Sequence, residues 1–511
     1  MNTFLSVFVK AGKGCLLFVL CVFILTGCSS IINSHEQKKG MMSSYAKGDN
    51  KAVMSKIDGK LKEPHWYNSS TVNTGDELMW RLEAGSANFH LGNYEKSIDQ
   101  FKHAEELIAG YDDRATVSVR NVGAEGGAAV TNLNALPYRG FCRDRIALSF
   151  YKALAYLGAG NEDAFRAQVR RLRDEQKKVQ EDYQKYFEEE QAELEESKVK
   201  NPKAAAKFAE AGSQDDMVGS ADNKEFASEL EKAREIANNG YGNFMNPAAI
   251  FLSGLGSIRD ENYDNARIDF ERLCEAMPKN QMLRKYYATV LQKADREIPE
   301  SLSNVKPFSF PLDRDCVYVV FANGRSAAFR AITIYFPVMT AWPVCEFYDE
   351  PFTTLEAEAG GKKYKSMILA DMDGIIAQEY NERLPGMITR IVLNTLIKEA
   401  AYYGSLTAIA ATNMDPKVKA IALAGTAVGG AAYRIAMNTA DTRSWEILPK
   451  EFQLTQFPMP KDKTVKLTMD RNGLPVSKTL ALPEDCKSAI IFVDAPTEKN
   501  ISYLVLPLTS K

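Results

Sequence analysis

The segment AIFLSGLGSIRDENYDNARIDFERLCEAMP, residues 249–278, carries the clearest structural pattern in this chain. Apolar and small residues recur at helical spacing on both sides of a polar break, so the pattern predicts two helices joined by a turn. Gly254 and Ala266 are small enough for the two helices to approach closely, and Phe270 is large enough to fill the space between them. Pro278 stops the second helix.

Two further segments show the same arrangement. Residues 76–108 place Gly85 and Ala104 at small positions and Phe101 at a large one, and residues 146–172 repeat part of the pattern. Helix pairs of this kind resemble tetratricopeptide repeats, in which stacked pairs form an α-solenoid. A generic helical bundle is the alternative, because the usual spacing of about 34 residues is not strictly kept.

A repeat array of this kind is expected to bind a protein partner. The binding groove of such an array is lined by side chains of the first helix of each pair that do not pack against the second. In the clearest pair, Phe251 and Arg259 lie on the first helix, whereas Phe270 occupies a packing position. We therefore predict that Phe251 and Arg259 contact the partner.

The beginning of the chain has the pattern of a bacterial lipoprotein signal. Lys10 and Lys13 precede an apolar run over residues 16–25, which ends in Thr26-Gly27-Cys28. The run is shorter than the about 20 apolar residues that a spanning helix needs. An ordinary secretory signal or an uncleaved anchor is the alternative interpretation.

The lipoprotein interpretation predicts a signal peptide at residues 1–27, lipidation of Cys28 and a linker over residues 28–45. Several acyl chains on one cysteine hold a protein firmly on a membrane. Ser29 stands where an Asp would favour retention in the inner membrane under enteric-type sorting. We therefore expect a lipid-anchored protein of the bacterial cell envelope, in the outer membrane and facing the periplasm.

Composition bounds the function further. The 511-residue chain is 45% hydrophobic and 25% charged, with a formal net charge of -3 at pH 7, so nucleic-acid binding is not expected. Its four histidines all lie within the first 103 residues, which leaves the C-terminal half without a histidine base, a Ser-His or Cys-His pair, or histidine metal ligands. We expect a non-catalytic protein without a metal or other cofactor.

The cysteines beyond the signal give no metal-binding or redox motif. No C-x-x-C pair occurs among them. In an oxidising periplasm two of Cys316, Cys345 and Cys486 could form a disulfide, and free buried cysteines fit the sequence equally well.

A change of pattern near residues 298–311, which contain three prolines, predicts a domain boundary. Before it we place a helical repeat domain over residues 46–300, with a charged helical insertion at about 170–238. After it, residues 311–511 alternate in hydrophobicity and contain β-branched runs typical of strands. We predict that the two parts are separable folding units.

The C-terminal part is predicted to combine strands with a helical hairpin at residues 385–439. The predicted strands lie at residues 317–321, 331–336, 353–358, 363–369, 464–469, 488–493 and 502–506, with a turn at Asn323-Gly324. Strands from both ends of a domain around two helices indicate an α+β or β-sandwich-like module. The whole chain is therefore predicted to be α+β, an N-terminal α-solenoid followed by this module.

The segment ILADMDG, residues 368–374, resembles the first motif of haloacid-dehalogenase-type phosphatases. That resemblance implies a nucleophile and a general acid at Asp371 and Asp373 beside magnesium, which makes an envelope enzyme the alternative function. The helical hairpin that follows does not have the alternating β-α order that such enzymes need. Capping of the next helix by Asp371 or Asp373 is the preferred interpretation.

The second helix of the hairpin is rich in small residues. Gly425, Gly429 and Gly430 stand among alanines, a spacing that lets another helix approach closely. Charges flank the run and it is short, so we predict a helix packed tightly inside the domain. Membrane insertion or self-association is the alternative.

Taken together, these parts resemble a family of uncharacterised bacterial lipoproteins with tetratricopeptide-like repeats. The residues that carry this resemblance are Cys28, Tyr151-Lys152-Ala153-Leu154, Asn246-Pro247, Asn394-Thr395-Leu396-Ile397-Lys398-Glu399-Ala400, Ala440-Asp441-Thr442-Arg443-Ser444-Trp445 and Leu448-Pro449. The resemblance covers nearly the whole mature chain and implies a membrane-anchored scaffold for protein-protein interaction. It further implies that the protein is an accessory of cell-wall synthesis or secretion machinery and binds a cell-envelope protein. Homo-oligomer formation is compatible with the resemblance.

Overall fold

The computed structural model describes residues 34–120, 137–210, 223–242, 244–335, 339–437, 440–471 and 473–508. Within these residues the protein is a mixture of helices and three β-sheets, which confirms the predicted α+β class at this level. Helices dominate the first part of the chain and strands the second, with a long helical hairpin between the strands.

The helices in the described residues are α1 (Ser34–Ala46), α2 (Asn50–Lys60), α3 (Glu77–His90), α4 (Tyr94–Arg120), α5 (Cys142–Gly158), α6 (Glu162–Lys200), α7 (Pro202–Glu210), α8 (Lys224–Ala237), α9 (Pro247–Arg259), α10 (Tyr263–Ala276), α11 (Gln281–Lys293), α12 (Met372–Ala410) and α13 (Pro416–Met437), with a short 3₁₀ turn at Glu300–Leu302. Seven helices between residues 77 and 293 stack in succession: α3 on α4, α4 on α5, α5 on α6, α6 on α9, α9 on α10 and α10 on α11. The charged insertion predicted at about 170–238 corresponds to the end of α6 together with α7 and α8.

Asparagines start several of these helices. The side-chain oxygens of Asn161, Asn246, Asn262 and Asn280 accept hydrogen bonds from backbone N–H groups in the first turns of α6, α9, α10 and α11. These N–H groups have no partner within the helix, so the cap stabilises each start.

The strands form two larger sheets and one hairpin. They are β1 (Cys316–Asn323), β2 (Ala328–Tyr335), β3 (Met339–Glu346), β4 (Thr354–Ala359), β5 (Lys362–Lys365), β6 (Met367–Asp371), β7 (Glu451–Pro458), β8 (Thr464–Arg471), β9 (Leu474–Ala481), β10 (Ser488–Thr497) and β11 (Asn500–Leu508). The sheet orders are β11-β10-β1-β7-β6, β5-β4-β8-β9 and β2-β3. Strand β1 is central, parallel to β10 and antiparallel to β7.

The five-stranded sheet lies between the helices and the four-stranded sheet. Along β1, Tyr318 and Val320 belong to the core that the sheet shares with the helices, whereas Val317, Val319 and Phe321 belong to the core shared with β4 and β8. Because alternate residues of a strand point to opposite faces, a strand covered on both sides must be apolar throughout. All of β1 is accordingly buried.

One hydrophobic core crosses the boundary predicted near residues 298–311. Phe89 of α3 packs edge-on against Phe492 of β10 at 5.1 Å, and Phe150 of α5 packs against Phe452 of β7 at 5.2 Å. Buried residues from the helices and from the five-stranded sheet form a single cluster. The hydrophobic pattern does change from helical to alternating near this boundary. The change marks the passage from the helical layer to the five-stranded sheet, and both layers share one core.

The predicted linker over residues 28–45 is wrong from residue 34 onward. Residues Ser34–Ala46 form α1, which buries Met41, Met42 and Tyr45. Tyr45 donates a hydrogen bond to Asp494 in β10 (3.2 Å), and its carbonyl accepts one from Asn500 in β11 (2.7 Å). A polar composition hid a helix whose few apolar side chains all point towards the core.

Six of the seven predicted strands are confirmed in place, but the one at residues 363–369 is split at Ser366 into β5 and β6, which belong to different sheets. The strands on either side of Asn323-Gly324 do not pair with each other, since β2 pairs with β3 and β1 pairs with β10 and β7. Strands β3, β7 and β9 were not predicted. Helix α12 begins at Met372 and runs through Pro385, where the sequence analysis placed the start of the hairpin.

Candidate functional site

The structure places Phe251 in the core. Its ring is 2% exposed and packs edge-on against Phe270 at 6.0 Å, Tyr286 at 5.2 Å and Tyr318 at 6.3 Å. Helix α11 and strand β1 cover the face that would be open in a free repeat array. The prediction that Phe251 lines an exposed groove is therefore wrong.

Arg259 is also shielded. Its side chain is 7% exposed and lies 3.5 Å from the carboxylate of Glu162. It also donates a hydrogen bond to the carbonyl of Asp313 (3.5 Å). The guanidinium thus joins α9, the start of α6 and the segment before β1. The prediction that Arg259 faces an open groove is therefore wrong.

Asp371 caps the helix that follows it. Its Oδ1 accepts a hydrogen bond from the N–H of Gly374 (2.9 Å), and its Oδ2 accepts one from the Asn239 side chain (3.1 Å). The carboxylate therefore satisfies a first-turn N–H of α12, as the capping interpretation expects.

Asp373 is engaged through both oxygens. One accepts the N–H of Ala327 (2.7 Å) and the other accepts Lys450 Nζ (2.8 Å). The residue is 1% exposed, and burial raises the pKa of its carboxyl to about 6. A nucleophile or general acid must reach a substrate, and neither oxygen of Asp373 faces solvent.

The one deeply buried histidine is enclosed among polar groups. His90 Nδ1 lies 3.3 Å from Asp494 Oδ2 and 3.3 Å from the hydroxyl of Tyr45, which donates to the same carboxylate oxygen. Burial lowers the pKa of His90 to about 3 and raises that of Asp494 to about 7. This cluster links α1, α3 and β10 and lies away from solvent.

The outer part of the helical hairpin is a long segment with no buried residue. We call residues 397–427 the hairpin arm, and none of them is buried. Leu396 is the last buried residue of α12; at about 1.5 Å per residue, the helix continues about 20 Å beyond it. Ile397, at the base of the arm, packs partly against the core, and no residue of the arm is buried in the described structure.

The surface of the arm is apolar at several points. Tyr403 is 55% exposed, Val418 54%, Ile421 73% and Met414 44%. The prediction that the glycine-rich second helix packs inside the domain is wrong for this part of it, since a Cβ placed on Gly425 would meet no atom within 4 Å. Exposed apolar patches of this kind mark interaction sites.

The turn at the tip of the arm is nevertheless held by hydrogen bonds. Asp415 accepts the N–H of Lys417 (2.9 Å), which caps the start of α13. Lys419 Nζ donates to the carbonyl of Ala410 (3.0 Å), which satisfies the end of α12. These contacts fix the turn between two antiparallel helices.

The part of the chain that the structure describes shows no metal site, membrane-spanning helix or disulfide. No group of three or more His, Cys, Asp or Glu side chains is placed to hold a metal ion there, and no helix among these residues is long and apolar enough to cross a membrane. The described cysteines, which include Cys316, Cys345 and Cys486, are free. Cys28, the predicted lipidation site, lies outside the described residues.

Comparison with known proteins gives no match. No family model, no curated protein and no solved structure matches this chain. The resemblance to tetratricopeptide-containing lipoproteins therefore stays a prediction, and the interpretation of the site depends on the residues themselves.

Proposed function

We propose that this protein is a lipid-anchored, non-catalytic scaffold of the bacterial cell envelope that holds a protein partner on its hairpin arm. The observation that carries the proposal is the arm itself, which extends about 20 Å beyond Leu396 without a buried residue. Tyr403, Val418 and Ile421 offer apolar contact area on it. At interfaces a few side chains, most often Trp, Tyr and Arg, supply most of the binding energy, and Tyr403 is an exposed residue of this kind.

A helical-repeat architecture for the N-terminal part belongs to this proposal. Two helix pairs repeat the same close approach: a Cβ on Gly85 would lie 2.3 Å from the Phe101 ring, and one on Gly254 would lie 2.9 Å from the Phe270 ring. The successive stacking of α3 to α6 and α9 to α11 also supports it. Such arrays act as rigid supports for binding surfaces.

The non-catalytic part of the proposal is supported by how the candidate groups are used. Asp371 caps α12, Asp373 is held by Lys450, and His90 is enclosed beside Asp494. Catalytic acids and bases must contact a substrate or reach it through one water. Each of these groups is committed to holding the fold together.

The location in the envelope is supported by the lipoprotein signal and by the start of the fold. Helix α1 begins at Ser34, six residues after Cys28. A short tether of this length would hold the folded protein at the surface of the membrane. Outer-membrane placement and a role beside cell-wall synthesis or secretion machinery follow from Ser29 and from the family resemblance.

The arm is tested by site-specific photo-crosslinking in cells. We expect a crosslinking residue at Tyr403 or Ile421 to form a discrete adduct with another envelope protein, and the pair Tyr403→Ser and Ile421→Ser to abolish co-purification of that protein. Leu474, which is 76% exposed on a strand hairpin, is the matched control position. Loss of the partner with Leu474→Ser but not with the arm variant would overturn the proposal. An adduct between two copies of this chain would instead make the arm a self-association site.

A further inference from the structure

A second exposed apolar feature lies in the loop between α2 and α3. Trp66 is 96% exposed and Tyr67 is 70% exposed. The ring of His65 stacks on that of Tyr67 with centroids 5.3 Å apart, and Trp66 meets Tyr67 edge-on at 5.7 Å. Three adjacent rings are therefore exposed to solvent. Exposed clusters of apolar groups are unfavourable in water and mark interaction sites.

The loop is held in this shape by its own hydrogen bonds. Asn68 accepts the N–H of His65 (3.2 Å) and donates to the carbonyl of Glu63 (2.8 Å). At the base of the loop, Thr71 N–H donates to the carbonyl of Lys60 (2.7 Å). The aromatic residues are thus presented on a closed loop whose two ends meet.

This loop emerges beside the start of α1. Lys60 Nζ, at the base of the loop, donates to Gln37 Oε1 in the first turn of α1 (3.2 Å). The chain arrives at α1 from Cys28, which is six residues before Ser34. Even fully extended at about 3.3–3.6 Å per residue, that segment spans only about 20 Å. A lipid on Cys28 would therefore keep this end of the molecule near the bilayer.

We propose that Trp66 and Tyr67 enter the interfacial layer of the bilayer that holds Cys28, and so fix which end of the protein faces the membrane. This inference depends on the proposed lipid anchor. Trp and Tyr favour the boundary between headgroups and acyl chains, because each has an apolar ring and a polar atom that stays hydrated.

Leu474, another exposed apolar residue, does not share this position. Arg471, which pairs with Leu474 across a strand hairpin, forms an ion pair with Glu498, and the neighbouring Thr497 contacts the carbonyl of Ala46. Ala46 ends α1, whose 13 residues place it about 20 Å from Ser34. Leu474 therefore belongs to the opposite end of α1 and provides a control.

Tryptophan fluorescence gives a direct test. The chain has four tryptophans, and Trp80, Trp342 and Trp445 are at most 1% exposed, so Trp66 alone is open to quenchers. The lipidated protein is reconstituted in vesicles of phosphatidylethanolamine and phosphatidylglycerol whose acyl chains are brominated. We expect bromine to quench a component of the emission, and Trp66→Phe to remove that component. A tryptophan introduced by Leu474→Trp in the Trp66→Phe background should escape bromine and stay open to acrylamide.

The outcomes separate this inference from the proposed anchor. The inference would be overturned if, in vesicle-bound protein, acrylamide quenched Trp66 as fully as the tryptophan at position 474 and bromine did not quench it. The anchor would then remain intact. Protein that does not remain with the vesicles would instead contradict the anchor. Shielding of Trp66 in native membranes but not in protein-free vesicles would assign the loop to a protein partner and overturn the lipid assignment.

Discussion

Lys38 Nζ lies 2.6 Å from the carboxylate of Glu83, and both side chains are fully shielded from solvent. Glu83 also accepts the backbone N–H groups of Glu446 and Ile447 at 2.8 and 3.0 Å. Lys38 donates a further hydrogen bond to the carbonyl of Ser444. One buried ion pair therefore joins α1, α3 and the segment that follows the hairpin.

Removing the lysine should be costly. In Lys38→Met the Glu83 carboxylate stays buried without its counter-charge, and we expect the free energy of unfolding to fall by about 3–5 kcal/mol. Urea titration measures this loss. Lys39→Met is the control, because Lys39 is 71% exposed beside Glu36 and its loss should change stability by at most about 0.5 kcal/mol. Equal effects of the two substitutions would contradict the assigned role of Lys38.

A pair of helical glycines allows a matched test of helix approach. Gly85→Ala would place a Cβ 2.3 Å from the buried Phe101 ring, and we expect a loss of about 1–3 kcal/mol from overpacking. Gly59→Ala in α2 meets no atom within 4 Å and should stabilise the protein by up to about 1 kcal/mol, since alanine favours helix. Thermal melts of both variants check the prediction, which fails if Gly85→Ala melts at or above the wild type.

The buried His90 and Asp494 should give opposite pH dependences. Because the pKa of His90 falls from 6.5 to about 3 on folding, the unfolded chain binds the extra proton and stability rises with pH in that interval. The pKa of Asp494 rises from 3.8 to about 7, so its contribution is fully present below 3.8 and is lost as the pH rises towards 7. The two largely cancel in the wild type.

Asp494→Asn should remove this cancellation. The variant retains the histidine effect alone, so we expect its stability to rise more steeply than that of the wild type between about pH 4 and pH 6. Urea midpoints at several pH values measure the slope. Asp99→Asn, an exposed site, should run parallel to the wild type. Parallel curves for Asp494→Asn would mean that His90 is not buried as a neutral group.

The shared core makes a prediction about fragments. The chain up to residue 300 and the chain from residue 311 would each lose the contacts of Phe89 with Phe492 and of Phe150 with Phe452. We expect neither fragment to melt cooperatively alone, and a mixture of the two to regain a cooperative transition followed by circular dichroism. Two fragments with sharp separate melts would restore the two folding units that the sequence pattern predicts.

The lipid anchor is tested at its cysteine. Cys28→Ser should abolish acylation and release a soluble or unprocessed form, which detergent-phase partitioning and gel mobility detect. Substitution of Ser29, next to the cysteine, by Ala serves as the control and should leave membrane association unchanged. Wild-type mobility and membrane retention of Cys28→Ser would rule out the lipoprotein interpretation.

The strands were predictable where their burial matched a simple pattern. Strand β1 lies between two layers and is apolar from Cys316 to Ala322, so it was evident in the sequence. Strand β7 was missed because Gln453 and Gln456 are buried in it, and polar residues there break the expected alternation. Strand β9 was missed because it is a largely exposed edge strand, in which only Val476 and Leu480 pack partly against the core.

The position of the site depended on long-range contacts that no local pattern contains. Phe251 was expected in an open groove, but Tyr318 covers it from beyond the predicted boundary. The spacing of the helix pairs predicted which residues pack within a pair, and Phe270 is fully buried as expected. It could not predict which surfaces the C-terminal sheet would cover, or that no residue of the hairpin arm would be buried.

The contacts between α1 and the last strands can form only after almost the whole chain has been synthesised. Tyr45 is joined to Asn500 across 455 residues. At roughly 5–20 residues per second, a ribosome needs on the order of 20–90 s to supply the second partner after the first. During that interval α1 can contact α2 and α3 but lacks β10 and β11, so part of its surface stays open to holding chaperones. A prematurely ended chain would never leave this state, so proteolysis would remove truncated products while sparing complete ones.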